Sequence, residues 1–72
     1  MTIELTNEEK LSIVNQHIKN HTFAKYGMEL TIAELNTAAN IDQPQIASLN
    51  EQILDLESKI LMLNNEAASL GA

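Results

Sequence analysis

The sequence predicts an all-α protein: two long antiparallel helices in a coiled-coil-like hairpin, two copies of which close into a four-helix bundle. Three observations carry this. Ile46, Leu49, Ile53, Leu56, Ile60, Leu63, Ala67 and Leu70 recur at alternating spacings of three and four, the a/d seam of a coiled-coil helix held for more than three heptads. A second helical stripe precedes it, separated by a short proline-bearing turn. Both helices also carry apolar residues off the seam, more than one hairpin can hide from water.

The expected order is a single domain: an extended arm over residues 1–6, a first helix over 7–40, a turn at 41–43 and a second helix over 44–69. In the arm, Ile3 and Leu5 alternate with Thr2 and Glu4; a lone strand has no sheet to join, so Ile3 and Leu5 are expected to cover one end of the bundle. Thr6-Asn7-Glu8-Glu9 is a capping box, in which the Thr6 hydroxyl accepts from the Glu9 amide and the Glu9 carboxylate reaches back to Thr6. Glu8 and Glu9 also favour the positive end of the helix dipole.

Along the first helix, Leu11, Val14, Ile18, Met28, Ile32 and Leu35 share one face, with His21 and Lys25 in its middle. Phe23, Tyr26 and Leu30 form a shorter stripe on the opposite side. Gly27 weakens the helix by roughly 0.5–1 kcal/mol against alanine, and Thr31-Ile32-Ala33-Glu34 is a second possible capping box. Because the main stripe continues in phase across Gly27, one long helix is preferred to two. At the turn, Pro44 as the first helical residue makes Gln43 the cap, whereas Asp42 as cap pairs with Gln45 and allows an Ile41–Ile46 staple. Gly71 is the expected C-terminal cap.

A short connection makes the helices antiparallel neighbours, with Met28 near Leu56, Ile32 near Ile53 and Leu35 near Leu49. The hairpin core is thus Leu11, Val14, Ile18, Met28, Ile32 and Leu35 against Ile46, Leu49, Ile53, Leu56, Ile60 and Leu63. Ile at a with Leu at d is also the choice of parallel two-stranded coils, but Gln52 would then face Glu57 and Lys59 face Asn64, with no opposite charges to set register. The intramolecular partner has the higher effective concentration. Leu54 and Leu61, seven apart and extended by Ala47 and Ala68, lie off this seam. With Phe23, Tyr26 and Leu30 they are the expected self-association interface, and a dimer is favoured.

Composition points the same way. A chain of 72 residues buries only about 60% of the surface its unfolded form exposes, so a lone core is marginal. Without cysteine there is no disulfide staple or thiolate metal site, which leaves oligomerisation. Ten acids against four lysines and no arginine, net −6, disfavour nucleic acid and anionic membranes as partners. No apolar run spans a bilayer and no signal segment opens the chain, so the expected setting is the cytoplasm.

The candidate chemistry is sparse. His17 and His21, four apart, can face one metal ion, but two ligands are too few for a structural zinc site, and no metal or cofactor is expected. Lys25 either snorkels from the seam edge or fixes register as a polar core position. Phe23 and Tyr26, the only aromatics, read as interface anchors. No phosphate loop, nucleophile elbow or paired-acid motif is present, so an enzyme is not expected.

A competing reading concerns Leu35 to Leu49, which resembles the helix-turn-helix of phage repressors. Leu35, Ile41, Ile46 and Leu49 fall on its apolar positions, and Gln43-Pro44-Gln45 near the start of a recognition helix. Asn36 and Asn40 depart from its small residue and turn glycine, and the next basic residue is Lys59. Taken whole, the chain resembles small helical-hairpin proteins of tailed phages that infect marine cyanobacteria. The similarity lies in Leu5-Thr6-Asn7-Glu8-Glu9-Lys10-Leu11, in Gln16-His17-Ile18-Lys19-Asn20 and in the heptads of the C-terminal half. It implies a phage origin and a helical hairpin, and carries no activity or functional residue. The function expected is non-enzymatic: a scaffold or adaptor that presents helical surfaces to itself or to another protein.

Overall fold

The computed structural model describes residues 3–71; Met1 and Thr2 of the expected arm lie outside them. Helix α1 spans Asn7–Leu35 and α2 spans Gln43–Gly71, and the two pack against each other as a hairpin. The body measures 59 × 22 × 15 Å, a single layer of helices.

The capping box opens α1 as expected. The Glu9 amide donates to Thr6 Oγ1 at 3.1 Å, and the Thr6 amide donates to Glu9 Oε1 at 2.9 Å. These bonds hold the Glu9 carboxyl below its ordinary pKa, the backbone bond from Thr6 contributing most. In the single subunit Ile3 and Leu5 of the arm are exposed.

α1 runs unbroken through Gly27, and the Thr31 hydroxyl donates to the Gly27 carbonyl at 3.0 Å rather than capping a new helix. Nothing lies within 4 Å of where a Cβ on Gly27 would sit. Gly27→Ala is therefore expected to raise stability by roughly 0.5–1 kcal/mol, read from urea denaturation followed by circular dichroism.

The first helix stops at Leu35, five residues short of the expected Asn40. Past Leu35 no large apolar residue falls on the seam, so packing no longer offsets the cost of ordering Asn and Thr in a helix. The Thr37 hydroxyl donates to the Glu34 carbonyl at 2.7 Å, while the amides of Thr37 and Ala38 tighten to i−3 carbonyls. Residues 36–42 form the connection.

Asp42, not Gln43, caps α2: its Oδ1 accepts from the Gln45 amide at 3.1 Å, and its carbonyl accepts from the Ile46 amide. Pro44 then sits in the first turn, where a missing N–H is no loss. At the other end α2 runs through Gly71 rather than stopping at Ser69. No described glycine takes a positive φ, so Gly71 is a helical residue and not the left-handed cap expected.

The core is thin. Ile53, Leu56 and Leu63 are buried, all from α2. Leu11, Val14, Ile18, Met28, Ile32 and Leu35 facing them are half-buried, as are Ile46, Leu49 and Ile60. His21 and Lys25 are also half-buried on the α1 seam. The reason is geometric: a one-layer hairpin covers each seam from one side only.

Candidate association surface

Lys25 gives the level at which the helices meet. It leaves the α1 seam sideways, and its Nζ lies 3.8 Å from Glu57 Oε1 on α2. Both side chains remain partly in water, so the pair contributes under about 1 kcal/mol. Its value is positional, because it sets residue 25 beside residue 57. That agrees with Met28 near Leu56 to within about half a turn.

Around this level the surplus apolar residues stand in solvent. Phe23 is 80% exposed, Tyr26, Leu54 and Leu61 are each 63% exposed, and Leu30 is 46% exposed. A lone subunit therefore leaves all five exposed. Ile13, Ile41 and Met62 are exposed as well, and sequence reasoning did not single out Ile13 or Met62. Each sits alone on its helix face, without the seven-residue repeat that makes Leu54 and Leu61 visible.

Magnitudes show how open the molecule is. It presents 5576 Å² to solvent. A compact monomer of 8.0 kDa is expected to present roughly 4,450 Å². The excess, on the order of 1,100 Å², exceeds the roughly 800 Å² per partner of a standard protein interface.

The other candidates gather little. The rings of His17 and His21 stand edge to face with centroids 6.4 Å apart, and among the described residues no group of three or more metal-ligating side chains forms. The stretch from Leu35 to Leu49 contains the end of α1, the connection and the first two turns of α2, lying in one layer with the rest. A shallow groove lined by Glu8, Leu11, Ser12, Asn15, Gln16 and Lys19 belongs to α1 alone and encloses nothing. No described helix is long and apolar enough to cross a membrane. No family model, no curated protein and no solved structure matches the chain.

Proposed function

We propose that this chain is a non-enzymatic association module of the cytoplasm, a small hairpin that assembles with itself and presents helical surfaces as a scaffold or adaptor. The observation that carries this reading is the exposure of Phe23, Tyr26, Leu30, Leu54 and Leu61 around a core that, among the described residues, holds only Ile53, Leu56 and Leu63. Apolar surface left in water costs about 25 cal/mol per Å², and a patch of this kind on a small soluble chain marks a protein interface. The surface excess is of the size that one partner supplies to a stable complex. The acidic balance, net −6 with Lys25 and Lys59 already facing Glu57 and Asp55, leaves little for a phosphate backbone to bind.

Static light scattering at micromolar concentration tests the proposal. Self-assembly predicts a mass of at least twice the 8.0 kDa chain. A mass of one chain throughout would remove it.

A further inference from the structure

The two surplus stripes come from different helices, and whether they share one side of the hairpin decides what assembly they allow. In heptad letters, Lys25 and Ile32 of α1 and Ile53 and Ile60 of α2 are a positions, while Met28, Leu56 and Leu63 are d positions. Tyr26, Leu54 and Leu61 are then all b, and Phe23 and Leu30 are f. Turning a helix end over reverses the sense in which its residues wind, viewed down the body. Pointing its seam back at the partner reverses it again. In an antiparallel pair the same letters on both helices therefore flank the same broad face.

The Lys25–Glu57 ion pair fixes that face independently. Lys25 at a leans toward the e and b side of its helix, and it meets Glu57, an e residue of α2. Tyr26, Leu54 and Leu61 lie on this side, with Phe23 and Leu30 at its rim. The levels agree too. Leu54 and Leu61 stand one turn either side of Glu57, as Phe23 and Leu30 stand one turn either side of Tyr26. Tyr26 on one helix and Leu54 and Leu61 on the other thus flank one face, about 10 Å along the helices, with the ion pair between them, while Phe23 and Leu30 continue it around the outer edge of α1. The opposite face carries the Asp55–Lys59 pair, at 2.9 Å, together with His17, Gln52 and Glu66; among the described residues its large exposed apolar side chains, Ile13 and Met62, stand singly, one on each helix.

From this we infer that the occupant of the Tyr26–Leu54–Leu61 face is the same face of a second copy, in a closed two-fold dimer that stops at two. One sticky face makes an isologous contact that uses itself up, whereas sticky faces on both sides would continue into chains. A second copy suffices as the occupant, because the surface excess is large enough to supply one partner's share of an interface. By the same letters Lys19 at b and Glu29 at e stand on this face beside Lys25 and Glu57, so two lysines offset two carboxylates and the face needs no basic partner to cover it. This rests on the self-association reading and adds which face closes and where growth ends.

Sedimentation velocity over about a hundredfold range of concentration tests it, using the full chain, Leu54→Gln/Leu61→Gln, Tyr26→Gln and Met62→Gln. All these positions are exposed in one copy, and circular dichroism checks that each variant stays helical. The full chain is expected to reach twice its mass and go no further. The double variant and Tyr26→Gln each weaken the dimer by at least about tenfold. Met62→Gln, on the other face, leaves it unchanged. Species that grow past the dimer, or variants of Tyr26 and Leu54/Leu61 that pair like the parent, overturn the face assignment while association itself stands. A parent chain monomeric at every concentration overturns both.

Discussion

Leu56→Ala is expected to cost about 2–4 kcal/mol and to lower the melting temperature by roughly 10–30 °C. Leu56 is only 9% exposed and is one of three buried side chains in the described structure. Its truncation removes the transfer free energy of the lost methyl groups and leaves a gap that two helices can close only by sliding. A domain of this size has about 4–11 kcal/mol to lose at most, so the fall is a large fraction of the whole. Met62→Ala is the matched control. Met62 is 58% exposed and lies off the seam, so its truncation is expected to change stability by less than about 0.5 kcal/mol. Thermal melts of the two variants, followed by circular dichroism, separate the cases. Equal losses would mean that the a/d seam is not where the fold is held.

That contrast also shows what sequence periodicity reveals and what it does not. The seam of the second helix was legible because its eight positions keep strict three-four spacing, and packing acts on that spacing. The opening of α1 was legible because Thr6 and Glu9 satisfy each other locally, with no tertiary help. The end of α1 was not. Asn36 to Asn40 has no proline or glycine to mark a stop, and the Thr37 hydroxyl on the Glu34 carbonyl leaves no pattern in composition. At the turn both Asp42 and Gln43 were reasonable caps. The shorter carboxylate reaches the Gln45 amide and wins. Glycine tolerates the left-handed cap conformation but does not require it, so Gly71 continues the helix. The surplus apolar stripes are legible in the sequence; relating the two across the hairpin needs the antiparallel geometry and the Lys25–Glu57 contact.

If the proposed dimer forms, folding and pairing are also expected to be coupled, since the exposed b residues gain cover only from the second copy. Binding that favours the folded form makes its stability depend on concentration. For a dimer of this size a tenfold change in concentration amounts to about 1.4 kcal/mol per dimer, or roughly 5 °C in melting temperature. Thermal unfolding recorded at two concentrations about a hundredfold apart therefore tests most directly whether one chain is too small to hide its own apolar surface. The expected result is a melting temperature higher by roughly 10 °C in the concentrated sample. A single melting temperature at both concentrations would show that the hairpin stands alone, with Phe23, Tyr26, Leu30, Leu54 and Leu61 left in water.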